Sequence, residues 1–142
     1  MSAVGKKFEE MTFEASEKGT LNFPADLKGK KTLFYFYPKD DTPGCTVQAC
    51  SYRDNIDSFT SKGIQVFGVS SDDMGSHKAF SEKFTLNFPL IVDSEKKLAA
   101  FFGVTGRDTF LVDGEATVVH EWKNVSPDTT VSETLAAASE LS

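Results

Sequence analysis

Three apolar runs, LFYFY at 33–37, IQVFGV at 64–69 and FPLIV at 88–92, set the strongest limit on what this chain can fold into. Each is short and apolar at nearly every position, the pattern of a strand buried on both faces. Polar segments long enough for a helix separate them. Strands alternating with helices require parallel crossovers, and hence an α/β fold with a central mixed sheet flanked by helices.

The remaining segments fit around that frame. MTFEASEKGTLNF (11–23) reads as two short strands about a Lys18-Gly19 turn, an N-terminal β-hairpin. KDDTPG (39–44) is a loop. From Cys45 the spacing turns helical: Val47, Cys50, Ile56 and Phe59 lie near one face, predicting a helix from about Thr46 to Ser61 that Gly63 closes. The first buried strand is 33–37 and the second 64–71. A helix follows at about 74–85, with Asp72 or Asp73 as N-cap. The third strand is 88–93, with Pro89 tolerated at its start. A short helix at 94–103 stops at Gly103, and 108–122 forms a hairpin with Asp113-Gly114 at the turn. A last helix has Ser126 as N-cap and Pro127 in its first turn. With 142 residues, 39% of them hydrophobic, and no repeats or linkers, one domain over 1–142 is expected. Thirteen phenylalanines predict an aromatic-rich core.

Charge and patterning exclude several functions. A net charge of −6 and the lack of any basic run argue against a nucleic-acid partner. No apolar stretch approaches the roughly 20 residues that span a bilayer, so no membrane association is expected. The N-terminus, MSAVGKKFEEM, has no secretory signal pattern. A cytoplasmic location is expected, with a removed organelle transit peptide as the alternative.

Both cysteines fall in one stretch, PKDDTPGCTVQAC (38–50). They could be inert core residues, metal ligands, a structural disulfide or a reactive pair. Two thiols make no disulfide scaffold, and in a reducing compartment a cysteine pair is more often catalytic or metal-binding. Structural zinc takes four ligands, and the two histidines, His77 and His120, are distant and in no ligand spacing. No metal and no cofactor are expected.

Cys45 stands at a strand-to-helix junction. Unpaired N–H groups and the helix dipole favour an anion there, so a thiolate is expected to titrate below the free value of about 8.5. Ligands of open α/β sheets bind at such junctions. Pro38 and Pro43 stiffen the loop, Gly44 allows close approach, and Thr42 offers a hydroxyl. Cys50 differs. On a regular helix, residues five apart are separated by about 7.5 Å along the axis and about 140° around it. A disulfide needs Cα atoms within roughly 7 Å and Cβ vectors that converge, so the pair can bridge only if the first turns unwind. That suits a catalytic cycle better than a structural staple.

The run Pro38-Lys-Asp-Asp-Thr42-Pro-Gly-Cys45 matches the peroxiredoxin signature, and TPGCTVQAC with FYFYP before it and SYRDN after it resembles the bacterioferritin-comigratory, or Q-type, subfamily. GIQVFGVSSD, FPLIVD and TFLVDGE follow in the expected order, so the resemblance covers nearly the whole chain. It implies a thioredoxin-like fold and a thiol peroxidase acting on hydrogen peroxide and small organic hydroperoxides. By that resemblance Cys45 attacks the peroxide and becomes a sulfenic acid, Cys50 resolves it as an intramolecular disulfide, and thioredoxin or a similar dithiol reductant restores both thiols. Pro38, Thr42 and an arginine complete the family's site, and the subfamily implies a monomer. Arg107, just before DTFLVD, stands where that arginine is expected, and its guanidinium fork can bond sulfur and oxygen together. Arg53, on the helix of Cys45, is the second candidate. One departure is the connection before Arg107: only Val104-Thr105-Gly106 follow the FG of the third helix, where many relatives carry a longer loop.

Plainer readings stand beside each of these. Cys45 could be a buried core thiol, and Cys50 an inert member of the apolar stripe, which leaves a one-cysteine peroxidase or a non-catalytic redox sensor as alternatives. Thr42 could only cap a turn. Arg107 could only pair with Asp108, and Arg53 with Asp54 or Asp57. His77 and His120 read as ordinary surface or strand histidines, Asp40-Asp41 and Asp72-Asp73 as solvated loop or cap acids, and Trp122 as packing. No feature orients a histidine toward Cys45, which argues against a Cys–His hydrolase.

Overall fold

The computed structural model describes residues 3–127 and 129–141, with side chains through 137. Seven strands form one mixed sheet among the described residues: β1 (Met11–Ala15), β2 (Gly19–Phe23), β3 (Lys31–Phe36), β4 (Ile64–Ser70), β5 (Leu90–Val92), β6 (Thr109–Val112) and β7 (Val118–Trp122). Their order is β2-β1-β5-β4-β3-β6-β7. The buried runs read from the sequence are the parallel strands β3, β4 and β5, and the two hairpins add antiparallel strands on either side. This is the thioredoxin-like α/β arrangement that the sequence predicts.

The helices are α1 (Pro43–Asp54), α2 (Ile56–Thr60), α3 (Met74–Phe84), α4 (Lys97–Phe102) and α5 (Thr130–Leu141). β3 shows how the sheet divides the core. Side chains alternate across a strand, so Phe34 and Phe36 enter one cluster while Leu33, Tyr35 and the following Tyr37 enter the other. The first cluster is built mainly of phenylalanines, among them Phe102 stacked on Phe110 with ring centroids 4.4 Å apart. The second lies under α1, α2 and α3 and includes Cys45, Tyr52, Phe59 and Phe80. Each such side chain, fully buried, contributes about 1.5–3 kcal/mol.

Several expected boundaries move. The single helix predicted over 46–61 is two, broken at Asn55 (φ −115°, ψ 12°), whose side chain donates to the Ser51 carbonyl at 2.8 Å. It also starts earlier, because Pro43 occupies the first helical position, where its missing N–H costs nothing. The buried stripe of α1 is Cys45, Gln48, Ala49 and Tyr52, whereas Val47 is 45% exposed and Cys50 half-buried. Asp73 caps α3 by accepting from the Ser76 N–H. α4 begins at Lys97, and the Asp93 carboxylate takes the Leu98 and Ala99 N–H groups at 3.0 Å each. The β6–β7 connection is a loop over 113–117 rather than a two-residue turn. Asp113 organises it by accepting from the Glu115 and Thr117 N–H groups, with Ala116 left-handed at φ +62°. α5 starts at Thr130, not Ser126, whose carbonyl instead closes a turn with the Thr129 and Thr130 N–H groups; Asp128 lies outside the described residues.

Candidate active site

β3 lies inside the sheet between β4 and β6, and the chain leaves it through residues 37–42 to enter α1. Cys45 is the third residue of that helix and is only 1% exposed. The first backbone bond of the helix runs from the Thr46 N–H to the Thr42 carbonyl at 2.8 Å. The Gly44 and Cys45 N–H groups lie ahead of it, at the position where a helix leaves donors for a ligand.

Arg107 arrives from the neighbouring strand. It immediately precedes Asp108 and β6, and the Asp108 carbonyl accepts from the Phe36 N–H at 2.8 Å, so the Arg107 segment lies against the end of β3. Its Nη1 donates to the Cys45 Sγ at 3.4 Å and to the Gln48 Oε1 at 2.8 Å. The guanidinium passes over Gly44, where a Cβ would stand 3.2 Å from Nη2 and 3.5 Å from Pro127 Cγ. A side chain there would push the guanidinium back by a few tenths of an ångström.

Arg107 does not pair with Asp108. The Asp108 carboxylate is fully buried and takes Lys123 Nζ at 2.8 Å together with the N–H groups of Thr105 and Asn124, each at 2.9 Å. Burial alone would favour its neutral form, but Lys123 and those N–H groups hold its carboxyl below the usual range. Asp108 thus fixes the short Val104–Gly106 connection that presents Arg107. Arg53 is not at the site. Its guanidinium donates to Asp54 at 2.9 Å and to the Phe84 carbonyl at 2.6 Å, joining the end of α1 to the end of α3.

Thr42 precedes the helix with extended backbone and no side-chain cap; its hydroxyl donates to the Lys39 carbonyl at 3.1 Å. Pro38 is exposed and, with Phe36, Val69, Ala99, Val104 and Arg107, lines a cleft of about 340 Å³. The structure therefore brings Pro38, Thr42 and Cys45 onto one loop and helix start, and Arg107 against Cys45. Cys50 lies one turn further along α1, and both cysteines are free thiols. Among the described residues no group of His, Cys, Asp and Glu could hold a metal, and no helix is long and apolar enough to cross a membrane.

Three residues that sequence reasoning passed over belong here. Gln48 is fully buried beneath Arg107, and its Nε2 has no hydrogen-bond partner among the described residues. Its spacing of three from Cys45 was the available signal. His77 is not a surface histidine, and Asp40 is not a solvated acid: they are 0% and 7% exposed and are joined at 2.7 Å. Asp41, by contrast, is exposed and pairs with Lys83.

The AhpC/TSA family matches residues 4–121 of the chain. Peroxiredoxin Bcp of Bacillus subtilis is 37% identical over 152 aligned residues, covering 98% of this chain and 96% of that protein. The chloroplastic peroxiredoxin Q of Triticum aestivum is 40% identical over 118 residues, covering 77% of this chain and 54% of that one. Among solved structures, the bacterioferritin comigratory protein of Xanthomonas campestris, described with its alkyl peroxide reduction activity and a trapped intermediate/ligand complex, superposes with a TM-score of 0.87. It is 30% identical, covering 92% of this chain and 90% of that one. The chain belongs to the AhpC/TSA family and, within it, to the Bcp/PrxQ peroxiredoxins, which are thiol peroxidases.

Proposed function

We propose that Cys45 is the peroxide-reacting thiol and that Cys50 resolves it. The observation that carries this reading is the placement of Arg107 Nη1 3.4 Å from the Cys45 Sγ at the start of α1. The guanidinium offers positive charge to the thiolate, and its fork leaves further N–H groups for a peroxide oxygen. The Gly44 and Cys45 N–H groups, ahead of the first helical bond, add donors at the helix start. Thr42, whose proton points at Lys39, keeps oxygen lone pairs that can accept from a peroxide O–H.

The Cys45 thiolate attacks one peroxide oxygen. An S–O bond forms, the O–O bond breaks, and the sulfur loses two electrons to become a sulfenic acid. The departing oxygen leaves as hydroxide or alkoxide and takes a proton to give water or an alcohol. The Cys50 thiolate then attacks the Cys45 sulfur; an S–S bond forms and the hydroxyl departs as water. An external dithiol, thioredoxin by family resemblance, reduces the disulfide by exchange. Closing the pair requires the first turns of α1 to unwind. Half-buried Cys50 is easier to move than Cys45, while Tyr52, fully buried and stacked on Tyr35 at 4.6 Å, holds the later turn. The apolar wall of the cleft at Phe36, Val69, Ala99 and Val104 suits the carbon part of a small organic hydroperoxide. A monomer acting in a reducing, cytoplasmic setting is part of the same proposal.

The test is peptide mapping by mass spectrometry after one equivalent of hydrogen peroxide. A loss of two hydrogens with Cys45 and Cys50 linked supports the two-cysteine cycle. One oxygen gained on Cys45, with Cys50 untouched, makes the enzyme one-cysteine. Full turnover by Cys45→Ser sinks the assignment altogether.

A further inference from the structure

A buried polar cluster anchors the loop between β3 and α1. The His77 Nε2 is 2.8 Å from the Ile91 carbonyl and its Nδ1 2.7 Å from Asp40 Oδ2. A carbonyl can only accept, so Nε2 carries a hydrogen. Asp40 already accepts from the Tyr37 hydroxyl on Oδ1 at 2.5 Å and from the Ser76 hydroxyl on Oδ2 at 2.8 Å. Those two hydroxyl donors favour the carboxylate over the acid, and opposite a carboxylate Nδ1 is a donor too and the ring an imidazolium. The Asp40 N–H in turn donates to Asp72 at 2.7 Å, and the Ser70 hydroxyl donates to the same oxygen at 2.9 Å. Residues from the end of β4, α3 and β5 thus converge on one loop residue, two positions after Pro38 and two before Thr42.

We propose that Asp40 and His77 act as a positioning pair for peroxide reduction: a buried ion pair that ties the Pro38–Cys45 loop to α3 and β5 and thereby sets where Cys45 and Thr42 stand against Arg107. The proposal rests on Cys45 being the reacting thiol. The groups facing the ring are Asp40 and, behind it, Tyr37 from the loop after β3, Ser76 from α3, Asp72 from the turn after β4, and the uncharged Ile91 carbonyl from β5. Burial opposes charge on His77, but the hydrogen bond and charge of Asp40, with Ile91 and Asp72, more than offset it and raise its pKa. Burial likewise opposes charge on Asp40, and His77, Tyr37 and Ser76 outweigh it and lower its pKa. The pair is therefore ionic between two limits. Above the upper limit His77 loses a proton, the ion pair becomes a single hydrogen bond, and the loop slackens.

Two measurements test this. In protein labelled with ¹⁵N-histidine, both ring nitrogens of His77 should be protonated at neutral pH. This readout is independent of which cysteine reacts. The rate of the first oxidation by hydrogen peroxide, followed against pH by stopped flow, should break downward where the His77 signals titrate. His77→Gln should lack that break. Asp40→Asn should slow the step by about 10- to 100-fold, the scale of an ångström-level misplacement, and adding His77→Gln should cost little more. A His77 ring with a single N–H at neutral pH overturns the proposal. So does an alkaline break that persists in His77→Gln, or a rate within about twofold of wild type in both folded single variants. Failure of the Cys45 assignment shows separately, as turnover retained by Cys45→Ser.

Discussion

Asp40 and Asp108 are both buried carboxylates in the segments that carry Cys45 and Arg107, one following β3 and the other preceding β6, yet they are neutralised in different ways. Asp108 gathers backbone N–H groups and a lysine whose side chain is 34% exposed. Asp40 gathers side chains only, and its cation has no exposure at all. The wall that carries Arg107 is thus held by the main chain, with a counter-charge that water can replace. The wall that carries Cys45 is held by side chains around a cation that can leave only by giving up its proton. Around and just above neutral pH the first keeps its charges, whereas the second responds to both acid and mild alkali.

The largest effect expected from breaking this contrast is on Asp108. Asp108→Ala strands two well-placed backbone donors in the interior and should cost about 3–5 kcal/mol in chemical denaturation, with peroxidase activity falling as the Arg107 segment loosens. Arg107→Lys separates chemistry from stability. Activity should fall about 10²–10³-fold while the denaturation midpoint hardly moves, because the loop around Asp108 stays intact. If Arg53→Ala costs more activity than Arg107→Lys, the choice of arginine is wrong.

The pH dependence of stability sharpens the comparison further. Both carboxylates have lowered pKa values, so their contributions are complete above about 3.9 and are lost as pH falls through the lowered values. His77 has a raised pKa, so its contribution is complete below about 6.5 and is lost as pH rises through the raised value. Denaturation across pH should therefore show an acid slope from both pairs and an alkaline slope from the Asp40 pair. His77→Gln should remove the second slope and leave the Asp108 part of the first. The smallest effect belongs to Lys123→Gln, about 1 kcal/mol or less, since its partial exposure lets solvent take over.

The frame and the place of Cys45 at a helix start were legible because they rest on strong, local signals. Buried strands show as continuous apolar runs, and P-x-x-x-T-x-x-C ends in a helix start whose position Pro43 fixes. The face of α1 was misread for a physical reason. Its buried positions have the clean spacing 45, 48, 49, 52, but they carry Cys, Gln, Ala and Tyr. A search for large aliphatic residues drifts instead to Val47 and across the break at Asn55 to Ile56 and Phe59. His77 was hidden similarly: it shares a face with Phe80 and Phe84, yet nothing local says that the acid completing it lies 37 residues earlier. Asp40 and Asp41 are indistinguishable in sequence, and only the β3–α3 packing separates the buried one from the one that meets Lys83.

The helix that carries both thiols also carries the two side chains that Arg107 bonds among the described residues. Its Nη1 bonds end on Cys45 and Gln48, three residues apart on α1, whereas Arg107 itself is mounted on the sheet. The site is divided between a fixed frame and a moving carriage. If the carriage unwinds to let the cysteines meet, sulfur and amide leave the guanidinium in the same event, and the cradle for peroxide is dismantled by the motion that resolves the sulfenic acid. On that proposed cycle, rewinding after reduction would restore both contacts together.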